Sequence, residues 1–487
     1  MNTPHHAART TLAAIARQAM IDRDLLPEFA PEARTQADGL GGGASAPAAR
    51  DLRQLPWISI DNDDSRDLDQ IAAAEDLGRG NLRLRVAIAD VDALVPRGSP
   101  IDDHARHNTT SVYTAGGIFP MLPARLCYDL TSLVQDQERL AVVTDMTVAA
   151  DGTVSHTDVY RALVVNKAKL AYDATAAWLD GKGPAPAPLA DTALQEQLRL
   201  QDRVAQALGA MRHQRGALTL ETIQTSAVFD GDALRDLVPE HKNRAQELIE
   251  NQMVAANGAA ALWLQARGLP SIRRVLRTPE HWDRIVALAA DAGGHLPPAP
   301  DAGALNAFLA ARRQTDPLRF PDLSLSVIKL LGRGEYALEL PGQTVEGHFG
   351  LAVSDYMHST APNRRFPDLI TQRLLKAALD AVQPPYSVAE LQDLAQHCTA
   401  QEDNAAKVER RVGKSAAALL LAPRVGQVFD AIVTGASGAG TWARTLTPPV
   451  EGRVIQAVQG LSVGQRVRVR LLHTDIARGF IDFARVE

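Results

Sequence analysis

Ile58-Ser-Ile-Asp61-Asn-Asp-Asp-Ser-Arg-Asp67-Leu-Asp69-Gln70-Ile71 is the stretch on which the reading of this chain turns. A short apolar alternation runs into a crowd of carboxylates, so the first part reads as a strand and the rest as the loop it delivers. Asp67 and Asp69 fall on one face wherever the backbone is extended. Carboxylates this close repel one another unless a cation holds them. Magnesium takes one or two carboxylates plus waters and substrate phosphate, and a metal pair can clamp the attacking and leaving oxygens of a phosphodiester. A calcium loop competes, because Asp61, Asp63, Ser65, Asp67 and Asp69 alternate as in an EF-hand. Arg66, however, occupies the turn position that needs glycine, and Ala72 stands where the bidentate Glu belongs, so calcium is rejected. A merely polar loop is the bland alternative.

Outward from this stretch, strand-like alternation at 55–60 and 82–91 gives way to longer helical periodicity from Leu194 onward, the pattern of an α+β domain. Segments 181–190 and 292–303 are rich in Pro, Ala and Gly and read as surface loops. Ahead of the domain, 8–37 reads as one or two amphipathic helices and 39–49 as a Gly/Ala-rich linker. Beyond it, short apolar runs at 428–433, 450–454, 466–471 and 480–483 between glycine-bearing turns suggest a small β-barrel. In Arg466-Val-Arg-Val-Arg470 the period of two puts three arginines on one face, fit either for phosphate or for guarding an exposed edge strand. The expected division is therefore 1–50, 51–422 and 423–487.

With 487 residues, two or three domains are expected. A net charge of -6 argues against a protein that coats nucleic acid non-specifically, yet the arginines cluster locally, as at Arg273 and Arg274 or Arg364 and Arg365. Such clusters fit a strand-tracking groove or plain solvated faces. Cys127 and Cys398 lie far apart and outside any CxxC spacing, which argues against a disulfide framework or a zinc site and for a reducing cytoplasm. No apolar run is long enough for a membrane span, and the first residues lack a secretory h-region.

Ile60-Asp61 followed by Asp67-Leu-Asp69 resembles the signature of the ribonuclease II and ribonuclease R family, whose catalytic (RNB) domain carries four aspartates there. Tyr113-Thr-Ala-Gly-Gly-Ile-Phe-Pro120-Met-Leu-Pro123 is similar to the family's PMLP run, and Tyr356-Met-His358-Ser-Thr-Ala361-Pro-Asn363-Arg364-Arg365-Phe-Pro-Asp368-Leu369 to its arginine-bearing loop. Leu248-Ile-Glu250 and Tyr172 match further family positions. The resemblance runs from about 57 to 412, and the tail looks like the S1-type OB-fold that follows. It implies an RNB-type mixed sheet surrounded by helices, then an S1 barrel; the short helical segment in front, read as helix-turn-helix-like, departs from the family. It further implies a processive 3′→5′ exoribonuclease that hydrolyses single-stranded RNA to nucleoside 5′-monophosphates with Mg²⁺, or Mn²⁺ in its place; no obligate protein partner is evident from the sequence.

By resemblance, Asp61, Asp67, Asp69 and Arg364 are catalytic, with the metal on the three aspartates and Gln70. Gln70 departs from the family's fourth aspartate: it offers a neutral oxygen and removes a charge, which bears on how many metals are held. Tyr113, Tyr172, Glu250, His358, Arg364 and Arg365 would contact RNA, the tyrosines by stacking and Glu250 through ribose hydroxyls. Asp368 is expected to cap the helix that begins near Leu369, and Glu409 to be a solvated acid paired with Arg410 or Arg411. Only about fifty residues precede the catalytic region, where the family commonly carries cold-shock-type barrels, so the channel mouth is expected to admit partly paired RNA. A catalytically impaired RNA-binding relative and a metal-dependent phosphodiesterase acting on DNA are the alternatives.

Overall fold

The computed structural model describes residues 8–42, 48–343, 346–438 and 440–486; positions 43–47 of the expected linker lie outside the described residues. The organising strand is Val154–Ala171, 18 residues long. Its first part pairs antiparallel with Glu138–Val148, and its end pairs parallel with Trp57–Asp61 (Ile58↔Ala168, Asp61↔Ala171). From Trp57–Asp61 the sheet continues through Gln70–Gly78 and Asn81–Ala89 back to Glu138–Val148, so the pairings close on themselves. Trp57–Asp61 and Gln70–Gly78 share a single register pair, Ile58↔Ala72. The Asp-rich segment between them has poor strand propensity and leaves the ladder, which frees its carboxylates for other partners.

Both faces of this sheet are covered, which explains a strand buried at four consecutive positions, Ile71 to Ala74. Ile71 and Ala73 join the core that holds Phe366, Leu369 and Ile370 of the helix Phe366–Leu379, whereas Ala72 and Ala74 pack against Val204 and Leu208 of the helix Thr192–Gln214 and Ala256 of the helix Arg244–Gln265. Three further helices, Trp282–Asp291, Ala302–Thr315 and Phe320–Leu331, share a core of their own. Not every clustered arginine can line a groove: Arg273 is 1% exposed and paired with Glu339.

The tail is a closed five-stranded barrel, and it includes a strand, Gly440–Thr445, that the apolar pattern did not reveal. Arg466, Arg468 and Arg470 are exposed while Val467 and Val469 are buried, as the alternation demands. The edge-strand reading fails, because Arg466–Asp475 is paired on both sides. The barrel is tied to the rest by the 34-residue helix Val388–Leu421 and by a largely buried ion pair, Arg444 to Asp322 at 2.8 Å.

The two expected helices at the front are Ala8–Ile21 and Pro31–Gly39, and their apolar faces enter different cores. Leu12, Ala16 and Met20 join Val408, Val412 and the barrel interior, whereas Ala33 and Ala37 join the core of the large sheet. Fully burying side chains such as Leu12 and Met20 is worth roughly 2 kcal/mol each, enough to hold so short a helix in place. Among the described residues, no helix is long and apolar enough to cross a membrane.

Candidate active site

Asp61 ends its strand, Asp67 and Asp69 follow in the loop, and Gln70 opens the next strand. All four line one cavity of about 1100 Å³ together with Tyr113, Tyr172 and Arg364. The acidic loop is pinned by groups that sequence reasoning missed. Lys169 donates its ammonium to the carbonyls of Asp63 (2.9 Å) and Ser65 (2.7 Å). Ser132 accepts the Leu68 N–H at 3.0 Å and donates to the Arg66 carbonyl at 2.7 Å. Nothing in the local pattern marks these contacts: the parallel register of the strand Val154–Ala171 brings Lys169 here, and the loop ahead of Glu138–Val148 brings Ser132.

Asp69 is 1% exposed. Its Oδ1 accepts the Asn363 N–H at 2.9 Å, while Oδ2 has no hydrogen-bond partner and faces Arg364 Nε at 3.5 Å. Burial pushes its carboxyl up to about 7, against the pull of Arg364 and the Asn363 N–H. Burial also raises Asp61, whose Oδ1 accepts the Asn62 N–H (2.7 Å) and the Ser65 hydroxyl (2.8 Å). Asp67 Oδ2 accepts the Tyr113 hydroxyl at 3.0 Å. Burial, aided by Asp67, raises the Tyr113 phenol, so it donates as a neutral group.

The cavity thus gathers hard oxygen donors, two of them carboxyls whose charge is disfavoured by burial, and one carboxylate oxygen lacks any donor. That donor set fits a divalent cation such as Mg²⁺, which needs only one or two protein carboxylates beside its waters. Among the described residues no three acidic, His or Cys side chains are already drawn together as a metal cage.

Arg364, with 43% of its side chain exposed, reaches into the cavity; Arg365 does not. Arg365 is committed to Asp368 at 2.8 Å, and Asp368 also accepts the Ala361 N–H at 2.8 Å. Asp368 therefore does not cap: it lies in the first turn of the helix, wholly buried, and braces the loop before it. Arg365 and His358 line a smaller adjoining cavity of about 210 Å³ that also touches Tyr113 and Arg364. His358 shares a 2.8 Å hydrogen bond between Nδ1 and the Tyr336 hydroxyl, and burial, then Arg365, holds it neutral.

Glu250 is not among the residues lining the large cavity, although its neighbour Ile249 and Met253 on the same helix are. It is paired with Lys242 and with Arg212 (3.0 Å). Burial would raise its pKa, but Lys242 and Arg212 outweigh that and hold it low. Glu409 corrects the expectation of a solvated acid: it accepts the backbone N–H of Tyr113 at 3.0 Å, and Arg411 pairs with Asp22 instead. A wall of the cavity also comes from the hairpin Thr225–Asp230 and Ala233–Pro239, through Ser226, Val238 and Pro239, followed by Glu240 and His241, none of which the motifs had flagged.

The RNB domain pattern matches residues 49–381, and the C-terminal S1 domain of RNase II-type exonucleases matches 427–486. Ribonuclease R of Escherichia coli (strain K12) is 30% identical over 476 residues, covering 90% of this chain and 57% of that protein. Exoribonuclease 2 of Salmonella newport is 33% identical over 337 residues, covering 68% of this chain and 51% of its own length. The chain spans little more than half the length of these relatives. Among solved structures, Mycoplasma genitalium RNase R with ribose-methylated single-stranded RNA superposes with a TM-score of 0.88 at 22% identity, over 97% of this chain and 77% of that one. Yeast Ssd1, described as a pseudonuclease, shares the fold at a TM-score of 0.72 and 16% identity, over 90% and 55%. Shared fold therefore does not decide catalysis; the side chains in the cavity must.

Proposed function

The chain belongs to the RNB family, and from that premise we propose that it is an exoribonuclease that hydrolyses single-stranded RNA, including partly structured RNA, processively from the 3′ end to nucleoside 5′-monophosphates. The observation that carries this reading is Asp69, a buried carboxylate with one oxygen free of hydrogen bonds, in the same cavity as Asp61, Asp67, the Arg364 guanidinium and the Tyr113 ring. Asp61, Asp67 and Asp69, with the Gln70 carbonyl, would hold Mg²⁺, or Mn²⁺ in its place. Bound there, the cation supplies Lewis acidity toward phosphate oxygen and lowers the pKa of the attacking water.

The chain's own residues do the rest. Arg364 offsets the negative charge that grows on the phosphoryl oxygens as water adds to phosphorus and the bond to the 3′ oxygen breaks. Tyr113 and Tyr172 present rings to the terminal bases, a grip that does not depend on sequence. Glu250, kept ionised by Lys242 and Arg212 beside the cavity-lining Ile249, would accept from ribose hydroxyls by exchanging one of those partners. Arg365 and His358 serve RNA through the loop they brace beside Arg364. Arg466, Arg468 and Arg470 offer the barrel's exposed cations to the upstream backbone. Cys127 and Cys398, buried and unpaired, suit a reducing cytoplasm.

An end-labelled oligoribonucleotide, incubated with Mg²⁺ and then with chelator, tests the reading. Metal-dependent shortening to mononucleotides is expected, with Asp69→Asn abolishing cleavage while leaving RNA binding nearly intact. Binding without shortening would instead assign the impaired RNA-binding alternative, and equal loss of a deoxyribose strand would assign a general phosphodiesterase.

A further inference from the structure

Two hairpins contribute to the cavity, and the turns of both rest on one helix. The first, Val112–Thr114 with Gly117–Phe119, carries Tyr113. Its turn approaches the helix Ala8–Ile21 so closely that a Cβ on Gly116 would stand 2.5 Å from the Ala13 nitrogen and 2.5 Å from the Leu12 carbonyl carbon. The second hairpin, Thr225–Asp230 with Ala233–Pro239, lines the cavity through Ser226 and Val238 at its open end. At its turn, the Arg9 N–H donates to the Asp232 carbonyl at 3.3 Å, and the Arg9 guanidinium lies 4.4 Å from the Phe229 ring centre. Val112, Leu234 and Leu237 are buried in the same cluster as Leu12 and Ala16. The helix is itself anchored to the long helix by Asp22 and Arg411 at 2.8 Å.

From this arrangement we infer that the helix Ala8–Ile21 is a positioning strut that sets the gap between the Tyr113 hairpin and the Ser226/Val238 hairpin, and so governs how short an RNA the cavity can still hold. The inference rests on the proposed nuclease reading and deepens it. A strand is cut only while its end stays gripped, and the grip on a short oligonucleotide is largely the stack on Tyr113. Tyr113 is fixed at two points, its hydroxyl on Asp67 and its backbone N–H on Glu409. Tilting the hairpin at its turn strains both bonds, while the backbone of the acidic loop, pinned by Lys169 at Asp63 and Ser65 and by Ser132 at Arg66 and Leu68, stays where it is. The strut therefore acts on holding and not on the chemical step.

Gly116→Ala tests this directly, because the new methyl meets backbone atoms that no side-chain rotation can clear. Restoring ordinary contact requires a shift on the order of 1 Å between hairpin and helix. The expected result is about a tenfold rise in KM with kcat within about twofold, and a limit product longer than the wild type's. A folded Gly116→Ala protein with unchanged KM and unchanged limit product overturns the inference. Should that variant not fold, Arg9→Ala carries the test from the other turn, with a smaller KM rise and the same lengthening expected and no change in either as the refuting result.

Asp22→Ala breaks the anchor to the long helix yet leaves both turns seated, so its limit product should match the wild type's; lengthening there would reduce the effect to general destabilisation and sink the strut. Hydrogen exchange reads the device without substrate. Gly116→Ala should speed exchange in 225–239 as well as in 112–119, and a change confined to 112–119 refutes the bridge. Wild-type protein that leaves RNA uncut would refute the nuclease reading alone, since the exchange result stands independently of it.

Discussion

Replacing Asp69 by Asn should stabilise the metal-free protein, and by an amount that depends on pH. Burial lifts the folded-state pKa to about 7, whereas an unfolded aspartate titrates near ~3.9. Below pH ~4 both states hold the proton and the wild type is at its best relative to Asn. Between pH ~4 and ~7 the unfolded chain has lost that proton while the folded one keeps it, so wild-type stability falls as pH rises, then levels off above the folded pKa. The shift of roughly 3 units at ~1.36 kcal/mol each sets a ceiling of about 4 kcal/mol in favour of the variant at pH 8. Constant differences between the side chains, such as the Asn amide facing Arg364, cancel when two pH values are compared. Between pH 5 and pH 8 the gap should thus widen by about 2.5 kcal/mol. Urea unfolding in chelator, followed by tryptophan fluorescence at both pH values, measures it. Mg²⁺ in hundredfold excess over its Kd should then return about 2.7 kcal/mol to the wild type and nothing comparable to the variant. A gap that does not change with pH, or a variant less stable than wild type at pH 8 in chelator, would refute the account of Asp69 as a buried carboxyl that only a cation makes comfortable.

Arg364→Ala should cost about 10²–10³ in kcat, as for other donors aimed at developing charge, while leaving thermal stability close to wild type because the side chain is half-exposed; single-turnover kinetics and a melting curve separate the two. Asp368→Ala should behave oppositely, destabilising the fold by about 3–5 kcal/mol in urea titrations, since it strands the Arg365 charge and the Ala361 N–H. Replacing Arg466, Arg468 and Arg470 together with Ala should lower the salt dependence of RNA affinity by about 2 in the log–log slope, roughly 0.7 for each phosphate that is no longer neutralised. An unchanged slope would remove the barrel strand from the RNA path.

Much of the site was legible because its residues sit in short, unusual neighbourhoods. Asp61, Asp67, Asp69, Gln70, Tyr113, Tyr172 and Arg364 stand in separated stretches of the chain, and the structure brings them to one cavity. The misreadings share a cause. Asp368 looked like a cap and Glu409 like a solvated acid because local spacing is all a helix pattern reveals. Their true partners, Arg365 with the Ala361 N–H and the Tyr113 N–H, are set by which elements the fold packs together. The roles of Lys169 and Ser132, the Thr225–Pro239 wall and the packing of the expected helix Ala8–Ile21 against both hairpin turns left no local trace for the same reason.

By itself the sequence determined the chemistry on offer: a hard-oxygen donor set, a guanidinium before a helix, aromatic rings, and alternation that commits Val467 and Val469 inward and three arginines outward. Periodicity and residue type are local properties, and they survive without knowledge of the fold. The tertiary structure alone decided which donors lie unpaired, which arginine of the Arg364–Arg365 pair faces the cavity, and what holds Tyr113 in place. Those outcomes depend on burial and on contacts between residues hundreds of positions apart, such as Asp69 with Asn363, and no window along the chain contains both partners.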